Sequence, residues 1–248
     1  MTKDEVRKYL EFYQDLGVKT VYRSAAPPGA DVSEPFPVAV PEPPAASRQP
    51  VVLSLSPAHD SLFKISDDIG DCKRCRLHEG RNRIVFGSGN EQARLVFVGE
   101  GPGADEDEQG MPFVGRAGQL LTQMIDGTAH KEGIPIQRKD VYICNVVKCR
   151  PPGNRTPQPD EMEICGQFLF RQLEAIRPKA ICALGSTAAK AILGTKEGVM
   201  KLRGSWQKWR DIPVIVTYHP SYLLRPYNQN AKKEAWEDLK RVLHYVYD

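Results

Sequence analysis

Four short apolar runs, each followed by a loop rich in glycine, proline or polar side chains, constrain this chain more than any other feature. They are Arg94–Val98 (RLVFV), Val141–Val147 (VYICNVV), Lys179–Leu184 (KAICAL) and Pro213–Tyr218 (PVIVTY). Unbroken apolar runs of this length read as strands buried on both faces. Helical patterns lie between them: residues 61–70, residues 117–129 with Leu120, Leu121, Met124 and Ile125 in register, and Asp160–Ile176 with Ile164, Phe168, Leu169, Leu173 and Ile176. A short helix is expected from an N-cap at Ser186 to Gly194. A last helix over residues 229–246 places Trp236, Leu239, Val242, Leu243 and Val246 on its buried face. Arg203–Trp209 fits an edge strand, and an extended piece ends at Gly87–Asn90. Strands alternating with helices predict an α/β fold, a three-layer α/β/α sandwich around a central, mostly parallel sheet of about four strands. Ligands on such sheets sit beyond the carboxyl ends of the strands. The segments after Val98, Val147, Leu184 and Tyr218 are therefore expected to gather at one edge.

Composition divides the chain. Residues 1–24 hold a short amphipathic helix at 4–16, with Val6, Leu10, Tyr13 and Leu16 near one face. From 25 to 60 lies a stretch containing nine of the 20 prolines. Proline fixes φ and removes a backbone donor, so this is read as an extended, poorly ordered linker, a tether or a polyproline ligand for an unidentified protein partner. The main domain is expected at 61–248. Hydrophobic residues make up 41% and charged residues 26%, and the net charge is +3; a nucleic-acid partner is permitted but not demanded. No run reaches membrane-spanning length, and the N-terminus lacks the apolar core of a secretory signal. A cytoplasmic protein is expected, in which six cysteines argue for metal ligation or buried thiols rather than disulfides.

Cys72-Lys-Arg-Cys75 is a C-x2-C pair on a basic turn, and Cys149 and Cys165 stand one in a loop and one on the following helix. Together they could complete four ligands to structural zinc or to an iron–sulfur cluster, which spacing alone does not separate. Cys144 and Cys182 fall inside apolar strands and read as buried thiols.

The stretch Gly99–Leu121 (GEGPGADEDEQGMPFVGRAGQLL) leaves the first buried strand through a Gly-rich turn. Such a turn lets backbone N–H groups approach a ligand, although it also serves as a plain connection, and the GxGxxG spacing of a dinucleotide site is absent. Asn145, near a strand end, could present an amide to a planar amide-like ligand. The rigid, basic Cys149–Thr156 (CRPPGNRT) suits phosphate contact, and His219 could donate to a developing anion. The Leu223-Leu224 pair beside Arg225 suits a wedge entering a base stack, or else starts the next packed segment.

In order along the chain, CKRC, GEGPGADEDEQGMPFVGRAGQLL, NVVKCRPPGNRTP and HPSYLLR resemble family 4 uracil-DNA glycosylases, the iron–sulfur type of the uracil-DNA glycosylase superfamily. The resemblance covers about Ser61 to the C-terminus. It implies hydrolysis of the N-glycosidic bond of flipped-out deoxyuridine in DNA, leaving an abasic site, by a monomeric enzyme acting beside the chromosome. It implies a [4Fe–4S] cluster on Cys72, Cys75, Cys149 and Cys165, clamping the loop that turns Arg150 and Asn154 to DNA. Gly99, Glu100 and Gly101 would meet uracil through backbone groups. Phe113 would stack on the base, Asn145 would read its Watson–Crick edge, and His219 would stabilise charge on O2. Arg150, Arg155, Ser221, Leu223 and Arg225 would contact DNA, with Leu223 filling the gap left by the flipped base. The best-known branch of the superfamily has an Asp where this chain has Gly101. The water-positioning group is therefore left to Glu100 or Glu106, the latter oriented by Asn154 or shaping the pocket against thymine's methyl. A close branch traps DNA covalently through a histidine in the loop matching Pro151–Pro157; PPGNRTP has none, so turnover is expected. The competing classes are a non-catalytic metal-stabilised DNA-binding module and a redox protein.

Overall fold

The computed structural model describes residues 60–225 and 227–248; the helix at 4–16 and the proline-rich linker lie outside the described residues. The described residues open with helix α1 (Leu62–Ile69), capped by the Ser61 side chain accepting from the Lys64 N–H. A two-residue strand β1 (Ser88–Gly89) precedes β2 (Leu95–Gly99), the short helix α2 (Ala104–Gln109) and the longer α3 (Arg116–Lys131). Then come β3 (Tyr142–Asn145), α4 (Pro159–Ile176), β4 (Ala180–Leu184) and α5 (Gly185–Leu193). The chain closes with α6 (Val199–Leu202), β5 (Trp206–Trp209), β6 (Ile212–Thr217), α7 (Pro220–Leu223) and α8 (Gln229–Tyr247).

The sheet runs β1-β3-β2-β4-β6-β5. Its four inner strands are parallel, as expected, and each edge carries a short antiparallel strand. Alternating side chains divide the core into two layers. Val96 and Val98 pack with Cys144, Ile181, Ala183 and Val214 under α1, α4 and α5. Leu95 and Phe97 pack with Ile143, Cys182, Leu184 and Ile215 under α3 and α8. Each such buried Leu, Ile or Phe contributes about 1.5–3 kcal/mol of hydrophobic stabilisation, so strand register is fixed on both faces. Cys144 and Cys182 are buried core thiols, as read from their strands.

Three local expectations are corrected. Helix α5 starts at Gly185 straight from the strand, with no side-chain cap, so Ser186 lies inside its first turn rather than at the N-cap. The edge strand begins at Trp206 because residues 203–205 turn after α6, with Gly204 at φ 74°. Trp236 is only half-buried; the ammonium groups of Lys131 and Lys240 lie 5.5 and 5.6 Å from its ring centroid. Helices α2 and α7 had no counterpart in the apolar patterning, because both are too short to show a period.

Strand order places the site. From β2 the chain crosses to β3 on one side and later to β4 on the other, so the carboxyl end of β2 is a topological switch point where a crevice opens. The register sets Gly99 beside Asn145 there and Leu184 beside Thr217.

Candidate active site

A cleft of about 660 Å³ opens over these strand ends, lined among others by Glu100, Gly101, Phe113, Asn145, Gly185 and His219. Asn145 forms its floor. Its side chain is buried, and Oδ1 has no hydrogen-bond partner. A buried carbonyl without a donor costs stability, so it is an acceptor held ready for a ligand N–H. Gly99 makes this possible: a Cβ there would collide with Asn145 Oδ1 and stand 2.5 Å from Phe113 Cζ.

Phe113 leans over the floor in a left-handed conformation, φ 54°, rare for an aromatic residue and requiring support. The support is Glu106. Its Oε1 accepts from the N–H groups of Val114 (2.9 Å) and Gly115 (2.8 Å), and its Oε2 from that of Gly103 (3.1 Å). Arg138, which sequence reading missed, donates to Pro112 O (2.8 Å), Thr122 Oγ1 (2.8 Å) and Gly118 O (3.3 Å) from the turn before β3. Gly118, also missed, lies against the Phe113 main chain, where no Cβ fits. These contacts come from sequence-distant segments, and nothing local announces them.

His219 follows β6 and faces Phe113, ring centroids 5.6 Å apart. Nδ1 accepts from the Ser221 N–H at 3.2 Å, which leaves the ring proton on Nε2, toward the cleft. Burial among protein atoms lowers its pKa to about 4 against a smaller opposing pull from Glu106, so the ring is neutral at physiological pH. Glu100 accepts from the Thr187 hydroxyl on α5. Its main-chain oxygen accepts from the Val147 N–H, 3.2 Å. A Cβ at Gly101 would meet Val147 Cγ2 at 2.7 Å, which gives the missing Asp of this position a steric reason.

Cys72, Cys75, Cys149 and Cys165 line one small pocket with Ile69, Ile84, Ile164 and Phe168. The Lys148 N–H donates to Cys165 Sγ at 3.2 Å, and Arg81 to Cys149 Sγ at 3.6 Å. Burial pushes the Cys165 thiol up to about 12 and raises Cys75 and Cys149. Among the described residues no three His, Cys, Asp or Glu side chains converge in the compact arrangement of a single bound metal ion.

A family model, the uracil-DNA glycosylase superfamily, matches residues 86–240. The chain belongs to this superfamily. It is 46% identical over 184 residues to the type-4 uracil-DNA glycosylase of Thermotoga maritima, covering 73% of this chain and 93% of the relative. The type-4 enzyme of Archaeoglobus fulgidus is 44% identical over 191 residues, 74% of this chain and 92% of its own. A type-5 uracil-DNA glycosylase of Pyrobaculum aerophilum is 32% identical over 169 residues, 62% and 71% of the two chains.

At the rim of this glycosylase fold the residues expected to meet DNA differ in exposure and in the partners they already hold. Leu223 is 1% exposed, packed with Tyr218, Ala231 and Ala235, so it cannot enter a duplex without unfolding α7. Its neighbour Leu224 is the exposed leucine. Arg155 is engaged within the protein: its guanidinium forms a two-pronged pair with Glu161, 2.7 and 2.8 Å, and holds that carboxyl below its usual range. Arg150 donates through Nε to Asn154 Oδ1 at 2.7 Å, so Asn154 orients Arg150 and makes no contact that would orient Glu106. Ser221, bonded to His219, is exposed, and so is Arg225, which lies over the Tyr222 ring at 5.7 Å. Arg116 and Lys190, not anticipated, are exposed cations on the cleft wall.

Proposed function

We propose that this protein excises uracil from DNA, and that the unpartnered Asn145 Oδ1 carries the recognition. Uracil N3–H is the donor this acceptor lacks; cytosine presents an unprotonated N3 there and would be rejected. The base enters after flipping, its face covered by Phe113. As the C1′–N1 bond breaks, its electron pair moves onto the ring and charge grows on O2. The neutral His219 donates its Nε2 proton to that oxygen as a hydrogen bond. The sugar becomes oxocarbenium-like, water adds to C1′, and the proton it releases passes through solvent to the uracil anion, leaving free uracil and an abasic site.

Glu106 is a positioning residue in this scheme: three backbone N–H groups occupy its carboxylate. Glu100, at the cleft and held by a single hydroxyl, is the candidate for guiding water.

The residues around the cysteine pocket fit a [4Fe–4S] cluster. Four cysteines from three chain segments line one pocket, with N–H donors to the sulfurs of Cys149 and Cys165. A set of four cysteines is the ligand set of such a cluster. When bound, the cluster supplies cross-linking rather than bond-breaking chemistry. Cys72 and Cys75 would be joined to Cys149 and to Cys165 on α4, fixing both ends of the Arg150–Asn154 loop.

The substrate is uracil-containing DNA, single- or double-stranded, acted on by one chain in the compartment of the chromosome. No helix among the described residues is long and apolar enough to cross a membrane. The test is release of free uracil from a labelled oligonucleotide, with iron analysis of the same preparation. Uracil release over many turnovers by a brown, iron-containing protein is expected. No uracil, a stable protein–DNA cross-link, or a colourless zinc protein would contradict the reading.

A further inference from the structure

A carboxylate that guides water must be aimed as well as present. The main chain of Glu100 is fixed by its neighbour strand: Gly99 O accepts from the Val146 N–H (2.9 Å) and Glu100 O from the Val147 N–H (3.2 Å). Its side chain is half-buried at the cleft, on a flexible stem that the strand does not restrain. Among the described residues one group does restrain it, the hydroxyl of Thr187, which meets Oε2. An ionised carboxylate only accepts, so the hydroxyl donates, and Oε1 keeps its lone pairs for another donor.

Thr187 is a rigid support. It is 8% exposed in the first turn of α5, and Ala188, Ala189 and Ile192 bury that helix in the core. A β-branched side chain on a helix has few χ1 rotamers. The same turn abuts the other reacting group. Gly185, at φ 89°, lies so near His219 that an added Cβ would stand 3.0 Å from the histidine's own. One helical turn therefore fixes the hydroxyl relative to the ring that donates to O2.

We propose that Thr187 is a positioning residue for excision: its hydroxyl holds Oε2 of Glu100 and so turns Oε1 to the attacking water. The inference rests on the proposed excision reaction and on Glu100 as its water guide. The water donates one O–H to Oε1 while its lone pair adds to C1′, and Thr187 acts only through the carboxylate.

A double-mutant cycle on the full chain tests this. Thr187→Val keeps the branched shape and removes the hydroxyl; Thr187→Ser keeps the hydroxyl. Single-turnover uracil release is measured beside the Kd for DNA carrying a non-cleavable uracil analogue. Thr187→Val is expected to slow release about tenfold and Thr187→Ser less than about threefold, the scale of one hydrogen bond to a charged group. The Kd should be unchanged in both. In a Glu100→Ala background, itself slow, Thr187→Val should cost nothing further, because the two residues act as one unit. A wild-type rate in Thr187→Val, an equal loss in Thr187→Ser, or a loss that persists undiminished beside Glu100→Ala overturns the proposal; the last is what a merely structural threonine would give. If Thr187→Val does not fold, Thr187→Ala takes its place with the same expectations. Glu100→Ala at the wild-type rate would instead sink Glu100 as the water guide, and wild-type protein that releases no uracil would sink the excision reading; neither result is read from the Thr187 variants.

Discussion

Glu106 offers the sharpest division between positioning and chemistry. Glu106→Ala strips acceptors from the N–H groups of Gly103, Val114 and Gly115. A hydrogen bond to a charged group contributes about 1.5–3 kcal/mol. The loop borders the cleft, so water recovers part of that, and a net loss of about 3 kcal/mol is reasonable. The same loop holds Phe113 at positive φ, a conformation that costs about 1–3 kcal/mol and relaxes once its anchor goes. At 1.36 kcal/mol per factor of ten, Glu106→Ala should lower kcat/KM about a hundredfold while DNA affinity changes little. In Glu106→Gln the amide oxygen still accepts from Val114 and Gly115, and only the Gly103 bond is lost. About a tenfold drop is expected there. The assay is single-turnover uracil release from an end-labelled oligonucleotide, with binding followed by anisotropy on a non-cleavable analogue. If Glu106→Gln falls as far as Glu106→Ala, the carboxylate charge takes part in the chemistry and the positioning argument is wrong. New excision of thymine with normal uracil activity would refute it in another way.

Three further outcomes follow from the site. Because the folded pKa of His219 is lowered to about 4, its contribution to stability is complete above the unfolded value near 6.5 and is lost as pH falls through 4; kcat/KM should hold down to about pH 5 and fall below it. A signal assigned to His219 that titrates near 6.5 by NMR would contradict this. Leu223→Ala should cost about 2–5 kcal/mol of stability by calorimetry, as buried leucine truncations do, whereas Leu224→Ala should leave the melting temperature alone and reduce excision from duplex DNA; the reverse pattern would restore the wedge to Leu223. Arg116→Ala and Lys190→Ala should each reduce the salt dependence of DNA binding by about one unit of slope, while Arg155→Ala lowers the melting temperature with the slope unchanged.

The strands and long helices were legible because buried runs and a helical period leave a strong trace in sequence. The motif residues Phe113, Asn145 and His219 were legible through resemblance, and the strand register brings them to one cleft. What sequence could not show is which side chain of a pair faces inward or which charge is already engaged. Leu223 and Leu224 are chemically identical, and only the packing of α7 against Ala231 and Ala235 separates them. Arg150 and Arg155 share one basic loop, but Glu161, buried at the start of α4, captures the second. Nothing local in the sequence marks Lys148 or Arg138; long-range folding buries the first and half-buries the second.

The central claim is that an unfilled acceptor on Asn145 waits for uracil N3–H, and competition by free bases measures it most directly. Uracil should inhibit excision, while 3-methyluracil, which lacks that hydrogen, should bind at least about tenfold more weakly, the scale of one buried hydrogen bond. Equal inhibition by the two bases would mean that Asn145 does not read this edge.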